Sequence, residues 1–246
     1  MENKIRLSVV IPAYNEEKRI SSTILDIDKY LSKQKYTYEI LVVSDGSKDN
    51  TAKVVENLKK LVRNLEIIDN KENHGKGYVV KQGMLKARGE YRLFMDADNS
   101  TTIDHIEKFW PFFKEGYDVA IGSIEVEGAK IEENAAWYRR FLGHLSKYLI
   151  RIVAGIWEIH DSQRGFKCFS AKAANSVFEK QLIMRFGFDI EILALAKRMG
   201  FKTKEVAVDW HNPGESKVSL GSYVKTFIEL FKIKLNFITD KYNLKK

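Results

Sequence analysis

Two aspartates, Asp96 and Asp98, stand one alanine apart directly after an apolar run. Alternate residues of an extended segment point to the same side, so both carboxylates can face one cation. Hard oxygen ligands of this kind suit Mg²⁺ or Mn²⁺, which then bridges phosphate oxygens. Such a triplet also occurs by chance as a solvated turn or a helix cap. Its place behind a buried strand and beside other polar strand ends favours the metal site.

Two further segments have the chemistry to hold a phosphate, a sugar or a base. Asp45 follows another apolar run, where its carboxylate could accept a hydrogen bond from a base or a ribose. The alternative for Asp45 is a turn or a cap within residues 45–49. Gly75-Lys76-Gly77 precedes a helical pattern, and glycines at a helix N-terminus let the backbone approach an anion. The segment lacks the spacing of a Walker loop, so a plain turn is the alternative there.

Several other chemistries find no support in the sequence. None of the five histidines forms a paired metal spacing with a second histidine or a cysteine, which argues against a zinc site. Cys168 is the one cysteine, so no disulfide forms within the chain. No basic-plus-aromatic RNA motif is present, and we expect no nucleic acid partner. The net charge of +8 suits ordinary solubility or an anionic partner.

Short apolar runs alternate with helical patterns along the first half of the chain. This alternation predicts βαβ units, an α/β fold and a mostly parallel sheet. Ligands of such sheets bind at the carboxyl ends of the strands, and here that edge gathers Pro12 to Glu16, Asp45 and the Asp96/Asp98 pair. The predicted strands are Leu7–Ile11, Tyr38–Val43, Leu65–Ile68, Tyr91–Met95 and Tyr117–Gly122, and the predicted helices are Glu16–Ser32, Thr51–Val62, Gly77–Ala87 and Ile103–Phe113.

The second half differs in composition, and we place a functional boundary near residue 130, dividing 1–130 from 131–246. Two predicted helices, Ala135–Trp157 and Tyr223–Phe237, mix aromatic and aliphatic residues with arginine and lysine. That mixture is typical of a helix on a membrane surface, whereas packing on the core or on a partner subunit is the alternative. We expect no signal peptide and no spanning helix. The remaining elements are a loop and strand at Asp161–Phe169, a helix at Phe188–Met199, a strand at Phe201–Trp210 and a loop at His211–Val218.

An ordered set of motifs resembles glycosyltransferase family 2, whose members have the GT-A fold. In the first half these are SVVIPAYNE from Ser8, VSDGSKD from Val43, the Gly75-Lys76-Gly77 segment and FMDAD from Phe94. The second-half motifs resemble dolichyl-phosphate glucosyltransferases, with dolichyl-phosphate mannosyltransferases as close relatives; they are DSQRGFKCF, FDIEIL, VAVDW and GESKV. The motifs cover nearly the whole chain in the family's order.

The resemblance implies a role for individual residues. Asp98 would bind the metal on the diphosphate, Asp96 would face the ribose, sugar or metal, and Mg²⁺ or Mn²⁺ would be the cofactor. Residues 1–130 would form the nucleotide-sugar-binding half and 131–246 the acceptor-binding half. The implied nucleotide-sugar ligands are Pro12, Ala13, Tyr14, Glu16, Asp45, Lys76, Asp96, Ala97, Gln163 and Lys217; the acceptor-phosphate ligands are Arg139, Arg140 and Lys167; and the catalytic residues are Asp98 and Asp189.

The chain departs from the family pattern at three positions. Relatives often carry arginine where this chain has Ile124, and they commonly carry cysteine where it has Arg164. Binding of the acceptor phosphate must therefore rest on other residues than the one at position 124. The mannosyltransferases have glutamine at the position of Ser100, so this site favours the glucosyltransferase branch. We also expect no N-terminal anchor like that of eukaryotic members, and we expect a peripheral enzyme on the cytoplasmic face of a membrane.

The implied reaction is an inverting, in-line displacement in which a polyprenyl or dolichyl phosphate attacks the anomeric carbon. UDP-glucose is the favoured donor and GDP-mannose the next. A phosphate monoester is already anionic near neutral pH, so no strong base is needed, and Asp189 could position the sugar or serve as a base. One alternative is a soluble family 2 transferase that acts on a saccharide or protein hydroxyl, with Asp189 as base. A non-catalytic sugar-nucleotide-binding protein is another, which the intact Asp96/Asp98 pair opposes.

Overall fold

The computed structural model describes residues 4–129, 148–211 and 220–244, with the side chains of 220–224 excepted. Its centre is a seven-stranded sheet in the order β3-β2-β1-β4-β6-β5-β7. The apolar runs at 7–13, 38–45 and 91–95 form strands because they are buried on both faces, whereas the strands at 65–70 and 203–207 are mostly half-buried. The strands are β1 Leu7–Ala13, β2 Tyr38–Asp45, β3 Leu65–Asn70, β4 Tyr91–Met95, β5 Val119–Ser123, β6 Phe166–Ser170 and β7 Thr203–Ala207.

The sheet is parallel except for one strand. β1 pairs in parallel with β2 and β4, and β5 pairs in parallel with β7. β6 lies between β4 and β5 and runs antiparallel to both, with Phe166 opposite Met95. Because of this reversal, the residues before Phe166 lie at the edge where the parallel strands end. The predicted mostly parallel sheet is confirmed.

Helices cover the sheet on both sides. The chain between β4 and β5 differs from its predicted single helix: a 3-10 helix, Ile103–Lys108, precedes a short α-helix. Pro111 lies in the first turn of that second helix, where its missing N–H costs nothing, so the break falls just before it. The helices are α1 Ile20–Leu31, α2 Thr51–Leu58, α3 Lys76–Lys86, α4 Trp110–Lys114, α5 Ala171–Lys180, α6 Phe188–Arg198 and α7 Leu220–Ile238, and residues 148–154 are also helical.

Two apolar clusters, one on each face of the sheet, hold the layers together. On β1, Val10 belongs to one cluster and its neighbours Val9 and Ile11 to the other, as the alternation of side chains along a strand requires. Helices α3, α5, α6 and α7 pack on the first face, and α1 and α2 pack on the second. Strands from both halves of the sequence form this one sheet; the functional boundary near residue 130 stays a prediction.

Candidate active site

Residues at the ends of three parallel strands and at the start of a fourth, reversed strand lie at the carboxyl edge of the sheet. Tyr14 follows β1, Asp45 ends β2, and Asp96 follows β4. The reversed strand β6 starts at this edge, and it places Gly165 beside Asp96, whose N–H donates to the Gly165 carbonyl at 3.0 Å. The sequence pattern predicts the first three segments at this edge, while the contribution of β6 depends on a strand order that the sequence does not reveal.

Asp96 forms an ion pair with Lys76, the first residue of α3. Their charged atoms are 2.6 Å apart, and both side chains are about three-quarters buried. Burial disfavours the charged form of Lys76, but the neighbouring carboxylates, Asp96 first, outweigh it and raise the pKa of the ammonium. Lys76 therefore stays charged and compensates a carboxylate at the site. This geometry is compatible with its predicted place near a diphosphate.

Gly165 lets the Asp96 carboxylate lie against the backbone of the chain before β6. A Cβ atom added at Gly165 would overlap the carboxyl group of Asp96. That carboxylate is already held in place by its ion pair with Lys76. Only glycine fits without displacing that ion pair. Gly165 was not predicted as a site residue, although a glycine in the polar segment just before a strand is a signal of such a close approach.

A second ion pair lies deeper, between Lys167 of β6 and Asp189 of α6. The Lys167 ammonium is 2.6 Å from Asp189 Oδ1, and the two side chains are 0% and 6% exposed. The same ammonium also donates to the carbonyl of Arg164. Burial raises the pKa of Asp189, and the ammonium groups of Lys167 and Lys76 oppose that rise. Lys167 was predicted to bind the acceptor phosphate, and it could do so only if this pair opened.

Asp98 is the carboxylate of the site with room for an additional ligand. Its Oδ1 accepts a hydrogen bond from the N–H of Ser100 at 3.0 Å, and Oδ2 makes no hydrogen bond to the described residues. Asn99, between them, has a φ of 56°, which tightens the turn. A divalent cation needs one or two such oxygens when phosphates complete its shell, so Asp98 fits Mg²⁺ or Mn²⁺. Within residues 4–129, 148–211 and 220–244, no group of three or more acidic, histidine or cysteine side chains could hold a metal alone.

The Asp45 carboxylate shapes the loop in front of Lys76. Its oxygens accept hydrogen bonds from the N–H groups of His74 and Gly75, at 2.8 and 2.9 Å, and from the side-chain amide of Asn73 at 2.8 Å. Gly75 has a φ of 104°, a conformation that residues with a side chain rarely adopt. The side-chain hydrogen bonds of Asp45 thus run to residues 73–75 and not to residues 45–49, where a turn or a cap was the alternative. Contact of Asp45 with a base or ribose stays a prediction.

We expect Asp45→Ala to weaken nucleotide binding more than it slows the chemical step. The substitution removes three hydrogen bonds that fix residues 73–75, so the loop that carries Lys76 becomes less ordered before ligand binds. Charge-assisted hydrogen bonds contribute about 1.5–3 kcal/mol each. Part of this free energy should be missing from the binding free energy of the nucleotide, because binding must then order the loop. Titration calorimetry with nucleotide measures the effect, with Asp104→Ala as a control at an exposed carboxylate. Unchanged nucleotide affinity would contradict the prediction.

The other predicted ligands lie at several depths. Tyr14 is 36% exposed at the site, whereas the side chains of Ala13 and Ala97 are buried at 2% and 5%. Glu16 forms an ion pair with Arg19. Pro12 is buried in β1 and Gln163 is exposed before β6, while Arg139, Arg140 and Lys217 lie outside the described residues.

The segment that leads to Lys217 starts beside Asp98. The N–H of His211 donates to the carbonyl of Ser100 at 2.9 Å, and the hydroxyl of Thr101 donates to the carbonyl of Asp209 at 3.3 Å. The chain just before residue 212 is thus attached to the residues that follow the two aspartates. Binding of the nucleotide sugar by Lys217 stays a prediction.

Comparison with known proteins gives a consistent result. The model of the family described as glycosyl transferase family 2 matches residues 8–178. A dolichyl-phosphate beta-glucosyltransferase of Trichomonas vaginalis is 35% identical over 99% of this chain and 75% of the relative. The enzyme of the same name from Dictyostelium discoideum is 32% identical, over 100% of this chain and 80% of the relative. The human one is 32% identical, over 98% and 78%.

Two solved structures share the fold. Glucosyl-3-phosphoglycerate synthase from Mycobacterium tuberculosis, in complex with uridine diphosphate, superimposes with a TM-score of 0.68 at 16% identity, over 94% of this chain and 79% of that chain. TarS 1-349 of S. aureus gives 0.60 at 19% identity, over 94% of this chain and 64% of that chain. The GT-A fold implied by the motifs is confirmed. The family model and the relatives, which match over nearly the whole length, place the chain in glycosyl transferase family 2.

Proposed function

We propose that this protein transfers glucose from a nucleotide sugar to a polyprenyl or dolichyl phosphate, with inversion at the anomeric carbon. UDP-glucose is the first candidate donor and GDP-mannose the second. The names of its relatives support the acceptor and the sugar. The observation that carries the proposal is the cluster at the carboxyl edge, where Asp98 stands beside the Lys76–Asp96 pair and above the buried Lys167–Asp189 pair.

Each side chain of the site has a separate role in the proposed displacement. In this proposal Asp98 and Lys76 bind the diphosphate of the donor, and a divalent cation on Asp98 would neutralise charge on the leaving diphosphate. Support for that cation comes from the synthase of M. tuberculosis, whose structure holds Mn²⁺ with uridine diphosphate. Asp96, which Lys76 compensates, would face the sugar of the donor. Holding the acceptor oxygen in line with the bond that breaks contributes a further large part of the barrier reduction.

Asp189 acts by position in this proposal rather than as a base. Its carboxylate is buried and already bound to an ammonium at 2.6 Å, so it orients Lys167 and the start of β6. The acceptor phosphate needs no base because its second pKa is about 6. The alternative, a transferase acting on a saccharide or protein hydroxyl, draws support from the raised pKa of Asp189, since a base should titrate near the working pH.

Incubation with a panel of sugar nucleotides separates these functions. The protein is mixed with UDP-glucose, GDP-mannose or UDP-N-acetylglucosamine, and with either a short polyprenyl phosphate or the matching polyprenol. Mass spectrometry then detects the lipid-linked sugar. We expect hexosyl product with the phosphate, with UDP-glucose preferred, and none with the alcohol. Product on the alcohol or on a saccharide alone would favour the alternative.

Helix α7 presents a second apolar face to the outside of the molecule. Its inner face packs on the core, whereas Ile228, Phe231, Leu235 and Ile238 recur at intervals of three and four residues and are 54–65% exposed. Exposed lysines lie on the same helix, at 225, 232 and 234. Among the described residues no helix is long and apolar enough to cross a membrane. We infer that this face lies on the surface of a membrane, on its cytoplasmic side, where anionic lipids attract basic residues.

We expect the protein to float with anionic vesicles at low salt and to be released in large part at high salt. The double substitution Phe231→Glu and Leu235→Glu should abolish flotation, because each buried side chain contributes about 1.5–3 kcal/mol to adsorption. Leu61→Glu, at a 72% exposed leucine after α2, is the matched control and should float. Liposome flotation gives the result. Equal behaviour of both variants would contradict the assignment, and dimerisation through α7 would favour a partner subunit.

A further inference from the structure

Arg164 is fixed by two neighbouring side chains, but the N–H groups of its two terminal nitrogens are not used in these contacts. Its Nε donates to Asp161 Oδ2 at 3.1 Å, and its guanidinium carbon lies 4.8 Å from the centre of the Trp210 ring. The side chain is 23% exposed. Among the described residues, neither terminal nitrogen of Arg164 donates a hydrogen bond. One edge of the guanidinium is therefore fixed and one face is covered, while the end with two parallel N–H donors is open.

The backbone of Arg164 places this group next to the reacting centre. Its carbonyl accepts the Lys167 ammonium, and the residue that follows it is the glycine against Asp96. Trp210, which covers the guanidinium, lies between two residues that hydrogen-bond to Ser100 and Thr101, just after Asp98. Arg164 thus lies at the rim of the cluster, on the side away from the nucleotide-facing residues of β1 and β2.

The position connects Arg164 with the residue after β5. Asp161 Oδ2, which holds the guanidinium, also accepts the N–H of Ile124 at 3.2 Å. Ile124 itself is apolar and 7% exposed, so it offers no charge there. The shared carboxylate shows that positions 124 and 164 lie close together, and of the two only Arg164 carries a charge.

The other cations of the site are already neutralised at short range. Lys76 has its ammonium 2.6 Å from Asp96, and Lys167, which is fully buried, has its ammonium 2.6 Å from Asp189. Arg164 has a carboxylate only on its Nε edge, and two terminal nitrogens remain for an oxyanion. Arginine binds phosphate through such a pair of parallel hydrogen bonds.

We propose that Arg164 binds the phosphate monoester of the acceptor and aims its attacking oxygen at the sugar. The inference rests on the proposed function, because it needs a phosphorylated acceptor. The stack on Trp210 and the bond to Asp161 keep the fork in one orientation, so little conformational entropy is lost when phosphate binds. The rim position lets the lipid chain leave the site toward the outside while the phosphate stays beside the cluster.

Steady-state kinetics with a short polyprenyl phosphate test the proposal. We expect Arg164→Ala to raise the acceptor KM roughly 10- to 100-fold, the range for a lost charge-assisted bond, while the KM for UDP-glucose stays within about twofold. Inhibition by inorganic phosphate, competitive with the acceptor in the unaltered protein, should weaken in parallel. Arg6→Ala is the matched control, because Arg6 also stacks on aromatic rings but lies at the opposite edge of the sheet.

The outcomes separate the inference from the function on which it rests. Failure of the unaltered protein to make lipid-linked product would refute the proposed function. Product from the unaltered protein, together with an unchanged acceptor KM in Arg164→Ala, would refute the inference alone, as would a rise in the KM for UDP-glucose. If Arg164→Ala lowers the unfolding temperature, Arg164→Lys replaces it: the charge is kept and the fork is lost. The acceptor KM should still rise in that variant, and an unchanged value would overturn the proposal.

Discussion

Asp98→Ala should lower turnover roughly 10²- to 10³-fold, the usual loss when a group that stabilises developing charge is removed. Asp98 has one carboxylate oxygen without a hydrogen bond to the described residues, next to a carboxylate already compensated by Lys76. It is therefore the group best placed to hold a divalent cation on the diphosphate. The loss should fall on turnover and on cation dependence, with folding intact, because Asp98 is half-buried and makes one hydrogen bond to the backbone.

The measurement is a turnover assay in which Mg²⁺ or Mn²⁺ is titrated after treatment with a chelator. We expect the unaltered protein to lose activity with chelator and regain it with the cation, and Asp98→Ala to stay low throughout. Asp104→Ala removes an exposed carboxylate from the 3-10 helix just beyond this loop and should behave like the unaltered protein. Full activity of Asp98→Ala in the presence of chelator would refute the metal site.

The strands that lead to Tyr14, Asp45 and Asp96 were predictable because they are buried on both faces. A run such as Val9-Val10-Ile11 allows no amphipathic alternative, and the turn residues after it mark where the strand ends. Since parallel strands end at one edge, the convergence of Asp45 and Asp96 followed from the sequence. The start of α1 was predicted too early, because residues 16–19 form a turn in which Arg19 and Ile20 both donate to the Glu16 carbonyl.

The second half was harder because its pattern depends on distant partners. Lys167 is the second residue of a buried strand, and its pairing with Asp189 on another element explains that placement. No helix was predicted for α5, although Ser170 gives a signal for it by capping the helix through a hydrogen bond from Ala173. The insertion of β6 between β4 and β5 leaves no local mark, so the position of Gly165 and Arg164 at the site required the structure.

Lys167→Met should produce the largest loss of stability among the substitutions considered. The change removes one partner of a buried ion pair and leaves the Asp189 carboxylate without its ammonium, a defect that typically costs about 3–5 kcal/mol in the free energy of unfolding. Methionine has a similar length, so loss of packing contributes little. Lys197→Met is the matched control: its pair with Glu158 is about half-exposed, and such pairs contribute about 1 kcal/mol or less.

The loss of stability caused by Lys167→Met should depend on pH, and the environment of Asp189 sets the direction of that dependence. Burial raises the pKa of this carboxyl, and removal of the Lys167 ammonium takes away the largest effect opposing that rise. An acid with a raised pKa in the folded state contributes stability at pH values below its unfolded pKa and loses it as pH rises through the folded pKa. The penalty of Lys167→Met should therefore be small in acid and grow toward neutral pH. Denaturant unfolding at several pH values measures it.

Removal of both charges should restore most of the stability that Lys167→Met loses. The double substitution Lys167→Met and Asp189→Leu leaves no unpaired charge in the interior, and apolar replacements of buried pairs are often neutral or stabilising. The free energy of unfolding of the double variant should exceed that of Lys167→Met, and it should not show the pH dependence that the Asp189 carboxyl causes. Turnover should stay low, because Asp189 no longer orients the start of β6. Recovery of turnover together with stability would show that the pair serves folding alone. A double variant as unstable as Lys167→Met would mean that packing around β6, rather than charge, sets the penalty.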